Sequence, residues 1–178
     1  LFYKKLTVAE NLNYFGKLYG LSNKEIKERT KVLLDTFGLA EAENSFGENL
    51  SIGMQKRLDI ACALIHKPDI LILDEPTANL DPLLRKNILE LIKKINESWT
   101  TVIISSHILE DISALCDRVL VIDNKRIVAD DKPKNLEEKF SNNQSIRLES
   151  ERKEYNKLVE VLSRKELIKN FKLNNGFL

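Results

Sequence analysis

Residues Ile70–Asp81 read I-L-I-L-D-E-P-T-A-N-L-D. Four consecutive apolar residues, Ile70 to Leu73, predict a buried strand, and two carboxylates, Asp74 and Glu75, stand at its end. In open α/β sheets, ligands bind outside the carboxyl ends of the strands. An apolar strand that ends in Asp-Glu therefore points acids at a place where a nucleotide phosphate and its metal can sit. The order suits phosphoryl transfer, in which one acid holds Mg²⁺ and another group orients the attacking water. Taken alone, Asp-Glu is equally an ordinary solvated turn, so the surrounding chain has to decide.

Working outward, Pro82 fits the first turn of a helix running to about Ser98, with Ile88, Leu91, Ile92 and Ile95 on its inner face. Thr101 to Ser105 is a second apolar, β-branched strand, followed by His107 and a short helix from Ile108 to Leu115. Arg118–Asp123 and Arg126–Ala129 read as a hairpin across Asn124-Lys125. Upstream, Thr7-Val8-Ala9-Glu10 and Ser22-Asn23-Lys24-Glu25 are capping boxes. The first opens a helix with Val8, Leu12, Phe15 and Tyr19. The second opens one with Ile26, Thr30, Leu33, Leu34 and Phe37, closed by Gly38. Leu50-Ser51-Ile52-Gly53 introduces a helix from Gly53 to His66, which Pro68 cannot continue.

This alternation predicts an α/β fold with a parallel sheet, preceded by a helical third. Residues 1–56 read as a helical subdomain and 57–131 as an α/β core. Residues 132–178 are more polar and read as a small βαβ appendage: a helix near Leu136–Phe140, a strand at Ser145–Leu148, a charged amphipathic helix Glu151–Asn170, and a strand from Phe171.

Composition narrows the classes. Among 178 residues, 28 are Lys or Arg and 27 Asp or Glu, so no strong basic field exists and no nucleic-acid partner is expected. Cys62 and Cys116 lie inside apolar patterns, as buried reduced thiols do. Two Cys and two His at unrelated spacings make no zinc site. No run approaches the ~18 apolar residues of a membrane span. A reducing cytosolic setting follows by default.

Four segments, in this order, resemble the ATP-binding subunit of an ABC transporter. Leu50–Arg57, L-S-I-G-M-Q-K-R, is similar to the family's signature motif. Ile70–Glu75 is similar to Walker B with its catalytic Glu, Ala78–Asp81 to the D-loop, and Ser105–His107 to the switch histidine. The likeness extends from Leu1 to about Ala129. It implies the nucleotide-binding fold of P-loop NTPases, with ATP and Mg²⁺ as cofactors. It also implies a homo- or heterodimer of ATP-binding subunits, a membrane-spanning permease as partner, and a place on the inner face of the cell membrane.

By this resemblance Asp74 is the Mg²⁺ partner, Glu75 the general base or water-orienting residue, and His107 a contact to the γ-phosphate. Ser51, Gly53 and Gln55 belong to the signature, which closes over the nucleotide of the partner subunit. Asp81 lies at the dimer seam. Each has a plainer role as well. Ser51 and Asp81 suit helix N-caps, and His107 suits a surface position near a helix start. Ile52 replaces a Gly and Met54 the usual Gln, while Ser51 and Gly53, at a helix N-terminus that suits an anion, are kept. Such Gly-Met variants, and the appendage, are similar to those of exporter ATPases that pair with ABC-2-type permeases. Phe2, Tyr3, Leu6 and Phe15 are candidates for the permease-facing groove, with core packing the plainer role of Leu6 and Phe15.

No G-x-x-x-x-G-K-[ST] occurs in the sequence. The family places that loop upstream of the helical segment, so the chain is expected to be the C-terminal part of a longer subunit whose sheet core is incomplete here, leaving apolar edges exposed. Two rivals remain: a soluble ABC ATPase acting without a permease, and a catalytically inactive interaction domain. Ala78-Asn79-Leu80-Asp81 differs from the Asn-His-Leu-Asp of ribosome-acting members, and intact Asp74, Glu75 and His107 oppose the inactive reading. The 178-residue chain by itself is expected to bind ATP weakly and to hydrolyse almost none. Calorimetric titration with ATP checks this, and tight binding would overturn it.

Overall fold

Two reciprocal caps start the helical third. The Thr7 hydroxyl accepts from the Glu10 N–H at 3.1 Å, and the Glu10 carboxylate accepts from the Thr7 N–H at 2.8 Å. Ser22 and Glu25 repeat the exchange. They open α1 (Val8–Leu18) and α2 (Asn23–Phe37). Gly38 closes α2 at φ 59°, a left-handed conformation that glycine adopts without a Cβ clash. The buried Asn11 side chain accepts from the Tyr3 N–H and donates to the carbonyls of Tyr3, Leu6 and Thr7, pinning the chain ahead of α1.

Two single 3-10 turns, Ala40–Ala42 and Gly47–Asn49, lead to α3 (Ile52–Leu64). There follow β1 (Ile70–Asp74), α4 (Pro82–Glu97), β2 (Thr101–Ser105), α5 (Leu109–Leu115), β3 (Val119–Asp123), β4 (Arg126–Asp131) and α6 (Pro133–Phe140). The computed structural model describes residues 2–98 and 100–140. Residues 1–136 form one compact unit and 137–178 a second. The strands and long helix expected beyond residue 140 lie outside the described residues. The helix expected from Leu136 begins earlier, at Pro133, a residue suited to a first helical turn.

β1 and β2 pair in parallel, Ile70 opposite Thr101 through Asp74 opposite Ser105. The expected hairpin is present. Asn124 and Lys125 both have positive φ, 46° and 63°, as a two-residue type I′ turn requires. β3 and β4 form a sheet of their own rather than extending the β1–β2 pair.

One apolar cluster joins both halves of this unit: Val8 and Leu12 of α1, Leu33, Leu34 and Phe37 of α2, Leu58 and Ile65 in and after α3, Leu71 and Leu73 of β1, and Ile88, Leu91, Ile92 and Ile95 of α4. The expectation of a wholly buried β1 needs correction. Leu71 and Leu73 face the helices, whereas Ile70 and Ile72 point to the open side. Successive strand side chains alternate between faces, and among the described residues only one face is covered. Ile103 of β2 adds to the uncovered apolar surface.

Cys62 is buried, and that burial pushes its thiol up to about 12. Cys116 is half-buried and also free. No helix among the described residues is long and apolar enough to cross a membrane.

Leu58 is fully enclosed and Ile72 is 72% exposed. Leu58→Ala is expected to lower the unfolding free energy by about 2–5 kcal/mol. Ile72→Ala is expected to stay within about 0.5 kcal/mol of wild type, as open surface positions do. Urea denaturation of the two variants checks the contrast.

Candidate functional site

The parallel register sets the site. Asp74 and Ser105 are paired across β1 and β2, and both point to the open face. The Ser105 hydroxyl donates to Asp74 Oδ1 and accepts from the Glu75 N–H at 3.2 Å. The same N–H donates to the Ser105 carbonyl at 3.1 Å. One serine thus ties both acids to the neighbouring strand.

Glu75 has φ 46°, a left-handed backbone for a residue that carries a Cβ. Such a conformation costs on the order of 1–3 kcal/mol and persists only where the surroundings over-determine it. Here the two bonds from its N–H, and a bond from Lys56 Nζ to its carbonyl at 3.4 Å, supply that restraint. The kink turns the side chain toward β2, where Glu75 Oε1 lies 2.8 Å from His107 Nδ1. An ionised carboxylate only accepts, so Nδ1 is the donor and Nε2 is left for another group. Glu75 Oε2 is enclosed and has no hydrogen-bond partner among the described residues. A buried acceptor without a partner is costly.

The structure therefore brings together Asp74, Glu75 and His107. Among the described residues no group of three or more His, Cys, Asp or Glu side chains forms a cage for a metal. A single carboxylate does suit Mg²⁺, which takes one or two protein acids and fills its other positions with water and phosphate oxygens.

The other candidates sit at two helix starts. Ser51 caps α3, its hydroxyl accepting from the Met54 N–H at 3.3 Å. Asp81 caps α4, accepting from the N–H groups of Leu83 and Leu84 at 3.0 Å. Gln55 turns back and donates to the Leu50 carbonyl at 3.0 Å. Gly53 is buried, and a Cβ there would come within 2.9 Å of Leu84 on α4. Its lack of a side chain leaves room for the end of the Leu84 side chain. Ile52, by contrast, is exposed.

Sequence reasoning missed Ser105 as the link between the acids, Lys56 as a support of the Glu75 turn, and a buried group made by Thr77, Arg85 and Asp111. Ser105 was legible in principle once β1 and β2 were aligned in parallel. His66, given no role from sequence, stacks on Tyr19 with ring centroids 3.7 Å apart, and burial lowers its pKa below the usual imidazole value. At the N-terminus, Tyr3, Tyr14 and Phe15 form an aromatic cluster with centroids 4.8 to 6.2 Å apart. Tyr3, Lys4, Lys5, Leu6 and Tyr14 line a shallow cavity of about 440 Å³. Phe2 and Phe15 pack against the core, while Tyr3 is exposed.

Residues 1–78 match the ABC transporter family. The chain is 45% identical over 127 residues to the linearmycin resistance ATP-binding protein LnrL of Bacillus subtilis (strain 168), covering 71% of this chain and 41% of that protein. It is 42% identical over 130 residues to the Nod factor export ATP-binding protein I of Cupriavidus pinatubonensis, covering 73% of this chain and 40% of that one. The chain thus spans well under half the length of these curated relatives. Among solved structures, cbiO1 from Clostridium perfringens, described as part of the ABC transporter complex cbiONQ, matches with a TM-score of 0.70 at 27% identity. That match covers 92% of this chain and 61% of cbiO1.

Asp81→Ala removes the acceptor for two N–H groups and is expected to cost about 0.5–2 kcal/mol of stability. Asp81→Asn retains the cap and is expected to stay near wild type. Chemical denaturation of both variants checks the capping role separately from any role in turnover.

Proposed function

Because the chain belongs to the family of ABC transporter ATP-binding subunits, we propose that it is the part of such a subunit that carries the hydrolytic acid, the signature helix and the switch histidine, and that the subunit powers export across a membrane. The observation that carries this reading is the meeting of Glu75 Oε1 and His107 Nδ1 at 2.8 Å, beside Asp74, at the carboxyl ends of two parallel strands. The export direction draws on relatives whose names state resistance and export.

In this reading Asp74 would hold Mg²⁺, with Ser105 fixing its rotamer, and the bound ion would supply charge neutralisation on the phosphates. Glu75 orients the attacking water and takes up its proton, while His107 holds the carboxylate through Oε1. His107 then donates an Nε2–H to the γ-phosphate, its ring carrying a proton on both nitrogens. Ser51 and the start of α3 face the nucleotide of a second subunit, and Asp81 couples the two sites across the seam. ATP closes the dimer and hydrolysis opens it. The aromatic surface around Tyr3, in a helical segment that shares its core with β1, is the dock for a permease on the inner face of the membrane.

In the complete subunit, Glu75→Gln is expected to leave nucleotide binding intact and to lower turnover by ~10²–10⁴-fold, the usual worth of general-base assistance. Steady-state phosphate release, alongside nucleotide binding, measures both, and normal turnover removes Glu75 from the role. Tyr3→Asp is expected to reduce co-purification with the permease partner while leaving turnover of the free subunit unchanged. Equal recovery of the complex would move the dock elsewhere.

A further inference from the structure

Asp111 is the charged residue among the three buried polar side chains of the described residues, the others being Asn11 and Thr77. A buried carboxylate is costly unless both oxygens are satisfied. Here Oδ2 accepts from the Thr77 hydroxyl at 2.5 Å, and Oδ1 accepts from Arg85 Nε at 2.6 Å. Arg85 reaches Glu110 as well, at 3.4 Å.

The three members come from three segments. Thr77 lies two residues after Glu75 in the turn that leaves β1. Arg85 is on α4, one helical turn beyond its cap Asp81. Asp111 is on α5, four residues beyond His107. Each member therefore stands just downstream of a residue of the proposed site. His107 itself is 73% exposed, so packing does not hold its ring, and its side-chain contact with Glu75 is a single bond. A pair this open needs its two backbone supports held at a fixed separation. The buried bonds of Asp111 link those supports directly.

We propose that Thr77, Arg85 and Asp111 are positioning residues that hold the start of α5 against the turn after β1 and so set His107 on Glu75. This rests on the roles given to Glu75 and His107 above. A group that merely filled the core would need no charge, since apolar side chains of similar volume serve a core as well or better. What the carboxylate adds is direction: its two oxygens must each meet a donor from a different segment, so only one arrangement of the three satisfies it.

The test uses the 178-residue chain with ¹⁵N-labelled histidine, because it holds only two histidines and His107→Gln assigns their ring signals. Glu75→Ala, which removes both side-chain oxygens, provides the displacement of the His107 signals when the pair is broken. Thr77→Val, which keeps the shape and loses the hydroxyl, is expected to move the His107 signals at least half as far in the same direction, with His66 unmoved. Thr77→Ser restores the hydroxyl and is expected to leave them in place. Arg85→Gln, on the partly exposed side of the group, breaks the other oxygen's bond and is expected to act as Thr77→Val does. Unmoved His107 signals in both Thr77→Val and Arg85→Gln would overturn the proposal. So would Thr77→Ser behaving like Thr77→Val, since that marks packing rather than the hydroxyl bond. None of these readings depends on ATP turnover. Normal turnover in Glu75→Gln would therefore sink the catalytic reading without touching this result.

Discussion

The in-register parallel pairing of β1 and β2 is the constraint on which the rest depends. Because Asp74 is opposite Ser105, one hydroxyl can hold the first acid and the backbone of the second. That grip keeps Glu75 at a positive φ it would not adopt in a free chain. The same kink points its carboxylate at the loop that leaves β2, where His107 waits. A slip of one residue in this pairing would turn Asp74 toward the helices and separate all three.

The strands hold this register because the helices cover one of their faces. Leu71 and Leu73 enter the same cluster as Leu12, Leu34, Leu58 and Ile92, so the helical third and the α/β part share a core. Lys56 of α3 adds a polar link to the Glu75 carbonyl. Helix α3 is thus in direct touch with the acid-bearing turn. Gly53 leaves room for the Leu84 side chain of α4, while Ser51 and Asp81 cap α3 and α4.

Local signals in the sequence determined much of this. The two capping boxes, Gly38, Pro82 after Asp81, and the Asn124-Lys125 turn each act within a few residues, where side-chain hydrogen bonds and backbone preferences hold without help from the fold. The apolar faces of α2 and α4 were equally legible from their helical spacing. So was the apposition of Asp74, Glu75 and His107, once the motif order identified the family.

Only the tertiary structure decided the rest. An unbroken apolar run cannot say which face of β1 is covered, because alternation is silent when every position is apolar. The left-handed Glu75 backbone arises from bonds to a residue thirty positions away. Asp111 reads in sequence as one more acid in a helix's first turn, and Thr77 as a turn residue. Their burial, and the ion pair of Asp111 with Arg85, exist only where three segments converge. Short-range chemistry is written along the chain, whereas desolvation and partner choice belong to the packed molecule.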